Sequence, residues 1–287
     1  MLKTLRLALA FVLVSLPAAA APAKAPALTR LTWYGHAAFR VVTPKGAVLM
    51  IDPWLKNPKD PAAKDGADPV AAVGKVDYIL LTHGHFDHVG DSVELAKKTG
   101  ARLVAVYELG MNMAKLLGYP KDQMGMDTLM NAGGSIEIAG GEVRVSMTPA
   151  IHSSGLENPK AGPDQPEFVY GGDPVGLVIA VKDGPTIYDT GDSAYFGDMR
   201  LIRSEYRPDA ALIDVGGHFG MEPAQAVLAA EAVRARYVIP HHYGTFPILT
   251  QDVGPFAAAV KKRGMTPVVM APGQTLTFAG RRLEAAK

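Results

Sequence analysis

Short apolar runs, bounded by Gly, Pro, Asn and Asp, recur along most of the chain. Those at 31–34, 39–42, 48–51, 78–82, 102–106, 136–138 and 143–147 have the length and composition of strands, as do 176–181, 186–188, 211–213, 237–239 and 268–270. Patterns with helical spacing fall between them, at 89–99, 108–117, 197–205, 223–234 and 253–262. Pro223 suits the first turn of its helix, and Gly100 and Gly264 suit helix ends. Meandering strands come first and strand–helix alternation follows in both halves. That order predicts two mixed sheets with helices outside rather than one parallel sheet. One stretch breaks the pattern: 158–173, "NPKAGPDQPEFVYGGD", has the length and composition of either a functional lid or a surface insertion.

The N-terminus follows a different rule. Lys3 and Arg6 precede an apolar run, "LALAFVLVSL", and small residues, "PAAAAPA", come after it. This is the layout of a secretory signal peptide, too short to span a bilayer, with cleavage expected near Ala20 or Ala21. The chain therefore divides into a signal peptide at 1–20, a flexible leader at 21–29 and one domain at 30–287. The expectation is an exported, periplasmic protein with no stable membrane insertion after cleavage.

Composition narrows the chemistry. With 287 residues, 48% of them hydrophobic, the chain is long enough to bury a substantial core. It has no cysteine, which excludes disulfides, thiolate metal ligands and a cysteine nucleophile. Without Lys3 and Arg6 the 29 basic residues fall to 27 against 28 acidic, a balance of −1, and no basic run marks a nucleic-acid partner. The expected partner is a small molecule; nothing in the sequence sets the oligomeric state.

Three of the eight histidines fall within "LLTHGHFDHVGD", residues 80–91. His83 and His85 follow a predicted strand, and residues two apart in extended chain point the same way. Gly84 between them leaves room for a shared ion. Asp87 and His88 fall at the entry to the next helix and can face a second point nearby. Further candidates also lie just past predicted strands: His152 in "VRVSMTPAIHSS", Asp192 in "TIYDTGDSAYFGD", and His241 and His242 in "ARYVIPHHYGTF". If those strands converge on one edge, the groups meet there. A carboxylate can bridge two ions, which makes Asp192 the natural shared ligand. Imidazole and carboxylate suit zinc, with manganese or iron as alternatives.

"THGHFDH" resembles the HxHxDH signature of the metallo-β-lactamase superfamily, and His152, Asp192 and His242 follow in that family's order. "WYGHAAF", "IDPW", "TGDSAYFGDM", "GGHFGMEP" and "IPHHYGTFP" are similar to one branch of it, the small bacterial metal-dependent hydrolases of unassigned substrate, which include relatives of the ascorbate-phosphate lactonase. The resemblance runs from about residue 31 to the end. It implies a four-layer αββα sandwich with a dinuclear site at one edge. By the same resemblance His83, His85 and His152 hold one divalent ion, Asp87, His88 and His242 hold the other, and Asp192 bridges them. His242 rather than His241 is the match, because the family's histidine directly precedes the aromatic residue; the role of His241 stays open. His36 and Asp52 are expected to orient ligand imidazoles through hydrogen bonds, with plain core packing as the alternative for His36. His218, on a glycine-rich loop, reads either as a contact to substrate or oxyanion or as a buried, hydrogen-bonded histidine. Trp33 and Trp54 read as core or rim. Ser153 and Ser193 lack the GxSxG context of a serine nucleophile.

Ions held this way lower the pKa of bound water to about 7, and a pair about 3.5–4 Å apart can also stabilise an oxyanion. Asp87 is the expected partner of the hydroxide. The implied reaction is hydrolysis of a small ester, lactone, amide or phosphodiester. A β-lactamase and a metal-binding protein without turnover are the competing readings. Relatives of this branch look cytosolic, so the export signal is a departure that turns attention away from intracellular substrates.

Overall fold

The computed structural model describes residues 27–284. The signal peptide expected at 1–20 and the start of the leader lie outside the described residues. The first sheet begins with Leu28–Trp33, antiparallel to Phe39–Val42, which is antiparallel to Val48–Ile51. Tyr78–Leu80 and Arg102–Val106 then add in parallel, and Leu129–Met130 closes that edge. At the other edge the chain returns from its C-terminus: Thr275–Ala279 pairs with Leu28–Trp33, and Arg282–Leu283 pairs with Thr275–Ala279. The second sheet runs antiparallel through Ser135–Ile138, Val143–Pro149, Val175–Val181 and Thr186–Asp189. It then continues in parallel through Ala210–Asp214, Tyr237–His241 and Thr266–Pro267.

Strand period sorts the apolar residues into two cores. Leu177, Ile179, Ile187, Leu212 and Ile239 face the first sheet, in the larger core with Leu31, Phe39 and Val41. Their neighbours Val178, Tyr188, Ala211, Ile213 and Val238 point the other way, onto Met199–Tyr206, Pro223–Val233 and Gly254–Lys262. Because both faces of these strands are covered, they read in the sequence as continuous apolar runs. On the first sheet Leu95 and Ala96 of Ser92–Thr99 and Leu109 of Tyr107–Asn112 join the larger core. The architecture is the expected single-domain αββα sandwich. No helix among the described residues is long and apolar enough to cross a membrane.

Each departure from the sequence reading has a physical cause. Residues 28 and 29, assigned to the leader, belong to the first strand, because Leu28 and Thr29 ladder with Ala279 and Phe278 from the far end of the chain. The strand expected at 268–270 is absent: its ladder ends at Pro267, after which only Val268 N–H still bonds the Val238 carbonyl. The stretch 158–173 is not wholly irregular. Phe168–Tyr170 pairs with Gly155–Glu157 as a short hairpin, anchored by Gly171 N–H on the Ser154 carbonyl. The helix expected at 89–99 splits into Phe86–Val89 and Ser92–Thr99 around Gly90.

Gly90 has φ +40° and ψ −119°, and a Cβ there would lie 2.5 Å from Trp54 Cα and 2.9 Å from the Pro53 carbonyl. Backbone cannot yield as a flexible side chain can. Gly90→Ala is expected to destabilise the protein by about 2–4 kcal/mol. Gly46→Ala, also at positive φ but with nothing within 4 Å of the added carbon, should cost about 1 kcal/mol. Denaturant unfolding of the two variants checks the difference; equal costs would contradict the packing argument.

Candidate metal centre

The candidate ligands come from both sheets. Past Tyr78–Leu80 the chain stays bonded to the sheet through Leu81 N–H and the Val104 carbonyl, which places His83 at the strand's carboxyl end. His85 starts the helical turn Phe86–Val89, whose first residues carry Asp87 and His88. From the second sheet, His152 follows Val143–Pro149, Asp192 follows Thr186–Asp189, and His242 directly follows Tyr237–His241. The parallel register sets Asp214 level with His241, so these strand ends form one edge.

There the seven predicted ligands meet. His85 Nδ1 lies 3.0 Å from His83 Nε2 and 3.3 Å from His152 Nε2. Asp192 Oδ2 lies 3.0 Å from His88 Nε2 and from His242 Nε2, 3.8 Å from His152 Nε2 and 3.9 Å from His83 Nε2. Asp87 Oδ2 is 3.7 Å from His242 Nε2. Two ligands at about 2.0–2.1 Å from a tetrahedral ion stand roughly 3.3 Å apart, so these separations suit coordination. Polar satisfaction points the same way. Asp192 Oδ1 and both ring nitrogens of His242 are buried without a hydrogen-bond partner. The approach of His242 to Asp192 is close but lacks hydrogen-bond geometry, as for atoms aimed at a third. The residues fit a divalent cation.

A surrounding layer fixes the rings. Asp52 accepts from Thr82 N–H at 2.9 Å, from Thr82 Oγ1 at 2.6 Å and from His88 Nδ1 at 2.8 Å. Since Thr82 Oγ1 donates to Asp52, it accepts from His83 Nδ1 at 3.0 Å. Both imidazoles thereby present Nε2 to the centre. His36 is fully buried and its Nε2 donates to Asp87 at 2.9 Å, leaving Nδ1 to accept from Thr245 Oγ1 at 2.9 Å. Three of these residues, His36, Asp52 and His242, hold positive φ of 52°, 42° and 62°. Such strain clusters at functional sites. Here His242 N–H bonds the His36 carbonyl at 3.0 Å, tying two strained residues together.

The charges divide unevenly. Burial, followed by the positive field of neighbouring imidazoles, pushes His83 well below the usual range; burial also lowers His85 and His152. Burial opposes charge on His88 and His242 too, but Asp192 outweighs it. His88, helped by Asp52, is raised well above its ordinary value, and His242 is raised to about 10. Burial would raise Asp87 and Asp192, yet the imidazoles around them hold both below the carboxylate range.

The centre floors a cavity of about 740 Å³ whose lining includes His85, Asp87, His152, Asp192 and His242. His218 is outside that wall. It is exposed and stands edge-on to Phe219, and Phe219 is the residue of the glycine-rich loop that lines the cavity. The buried, hydrogen-bonded reading of His218 is therefore wrong. His241 turns away into the core, edge-on to Phe39, with Nε2 3.5 Å from Asp189 Oδ1. Ser153 Oγ is 3.2 Å from His85 Nε2, and Ser193 Oγ binds Ile151 N–H and the Ala194 carbonyl. Trp33 is core, and Trp54 stacks on Phe246 behind the cavity wall. The sequence reading missed Thr82 and Asp214. Asp214 ends a strand as the ligands do; it accepts from Gly216 and Met221 N–H, and its Oδ1 stands 3.9 Å from His242 Nδ1. Strand-end position was the signal that would have found it.

A raised histidine stabilises the metal-free fold fully below its unfolded value of 6.5, and that contribution is lost as pH climbs through its folded value, about 10 for His242. A bound cation must displace the same protons. The melting temperature of metal-free protein is therefore expected to fall between about pH 6.5 and about pH 10 while metal affinity rises, with proton release on metal addition. Calorimetry in buffers of different ionisation enthalpy measures this. Binding without proton release near neutral pH would contradict the assignment of charge.

A family profile described as the beta-lactamase superfamily domain matches residues 48–243. A metal-dependent hydrolase of Thermodesulfovibrio yellowstonii is 46% identical over 236 residues, 82% of this chain and 86% of that protein. One from an Anaeromyxobacter species is 48% identical over 262 residues, 90% of each chain. Among solved structures, a metallo hydrolase of the archaeon Ignicoccus hospitalis superposes with a TM-score of 0.73 at 33% identity, covering 88% of this chain and 98% of its own. With the matched profile running through the ligand cluster, the chain belongs to the metallo-β-lactamase superfamily and is one of its metal-dependent hydrolases.

Proposed function

We propose that the centre holds two divalent ions, zinc in the first instance, and hydrolyses a small ester, lactone, amide or phosphodiester. One observation carries this reading: Asp192 Oδ2 lies within 4 Å of ring nitrogens from four histidines, two from each side of the cluster. Such a carboxylate can serve both sides at once. Bound divalent ions supply Lewis acidity, acidifying water and polarising the bond to be cleaved. Asp87 faces the cavity and is held ionised, so it can orient the attacking water by accepting a hydrogen bond from it. His36 positions that carboxylate through its 2.9 Å hydrogen bond. Asp52 and Thr82 hold His83 and His88 in the tautomers that leave Nε2 free. His218 lies outside the cavity wall and takes no part in these steps.

Elemental analysis of metal-replete protein is expected to find two ions per chain; at most one at saturation would overturn the dinuclear reading. His242→Ala should lose an ion, whereas His241→Ala should keep the wild-type content and lose stability, because its ring packs in the core. Turnover should appear within a panel of chromogenic esters, lactones, bis-phosphodiesters and cephalosporins, and chelation should abolish it. Metal-replete protein inert towards the whole panel would favour a binding role instead.

The reading includes export to the periplasm, supported by Lys3, Arg6, the apolar run and the alanine-rich exit. Cell fractionation with N-terminal sequencing should find a chain starting near residue 21 outside the inner membrane. An intact Met1 terminus on cytosolic protein would restore intracellular substrates.

A further inference from the structure

We propose that the cavity above the centre selects substrates whose non-reacting part is an aromatic or branched apolar group without negative charge. This rests on the hydrolase reading and adds the substrate class.

Four separate segments point apolar side chains at one space. Phe86 comes from the turn that carries the ligands, Phe168 from the hairpin, Phe219 from the glycine-rich loop, and Phe246 with Ile248 from the segment after His242. Phe86, Phe168, Phe219 and Ile248 remain 50%, 52%, 60% and 55% exposed. Single exposed apolar residues are ordinary, but several converging on one concave surface mark a binding site. The walls are backed: Trp54 stacks on Phe246 at 5.6 Å and meets Phe86 edge-on at 5.7 Å. A cavity of about 740 Å³ has room for a ring beyond the bond being cleaved.

Charge sets the second half of the inference. No lysine or arginine among the described residues lines this cavity. Outside the metal centre the ionisable group in its wall is Glu157, directly across the hairpin from Phe168. A phosphate or carboxylate on the substrate's tail would therefore meet a carboxylate and aromatic rings, with no cation to take it. A neutral tail, or one bearing an amine, meets no such penalty.

Hydroxamates test this without turnover, because a shared metal-binding head leaves the tail as the variable. Calorimetry on metal-loaded protein would compare acetohydroxamate, benzohydroxamate and para-carboxybenzohydroxamate. Benzohydroxamate is expected to bind roughly tenfold or more tightly than acetohydroxamate, from burial of the ring. The carboxylated compound should bind about tenfold more weakly than benzohydroxamate. Phe168→Ala should shrink the first ratio and Glu157→Gln the second; both side chains sit on the exposed hairpin, away from the core. Equal affinities for the first two compounds, or a carboxylated compound that binds as well as its parent, would overturn the inference and leave the hydrolase reading standing. If none of the three binds protein whose metal content has been verified, the centre takes no ligand from the cavity, and both readings fall together.

Discussion

Asp192 is a buried carboxylate surrounded by imidazoles, and the site's architecture follows from what that burial requires. A carboxylate out of water needs opposite charge close by. The chain meets the need with ring nitrogens of His83, His88, His152 and His242, all within 4 Å of one oxygen. Without a cation, protons on His88 and His242 balance the charge, while His83, His85 and His152 stay neutral and face one another. Bound divalent cations would replace those protons and separate the lone pairs. The cluster is thus complementary to cations in charge and in spacing, and the family relationship agrees with that.

Each sheet supplies part of the cluster. His83, His85, Asp87 and His88 stand at the edge of the first sheet, and His152, Asp192 and His242 at the edge of the second. Neither group forms the centre alone, so the ligand geometry depends on the core packed between the sheets. The strained backbone at His36, Asp52 and His242 lies where the sheets join, at a cost of about 1–3 kcal/mol per residue. The His242 N–H bond to the His36 carbonyl spans that join, and the hydrogen bonds of Asp52 brace the first sheet's side.

The parts of the cavity wall outside the ligands belong to loops and to the short hairpin. This separation lets one metal centre serve different substrates, since wall residues can change without disturbing the strand ends. In this chain the wall is aromatic with a single carboxylate beyond the centre, which directs attention to uncharged apolar substrates within the broad hydrolase class.

The sequence by itself determined the two sheets, most strand positions and all seven candidate ligands. Continuous apolar runs are the direct imprint of strands buried on both faces, and "THGHFDH" packs four metal-ligand candidates into one short span. Local pattern could not reveal what depends on partners remote in the chain. The first strand begins at Leu28 because residues 275–279 come back to pair with it. The hairpin of Gly155–Glu157 and Phe168–Tyr170 is held by pairing and anchoring bonds rather than by an apolar run. Tertiary structure alone decided that Thr82 joins the expected Asp52 in orienting His83 and His88, that His241 turns into the core, and that Phe219 rather than His218 lines the cavity. In each case the deciding quantity was the direction of a side chain relative to a distant segment, which residue spacing within one element does not encode.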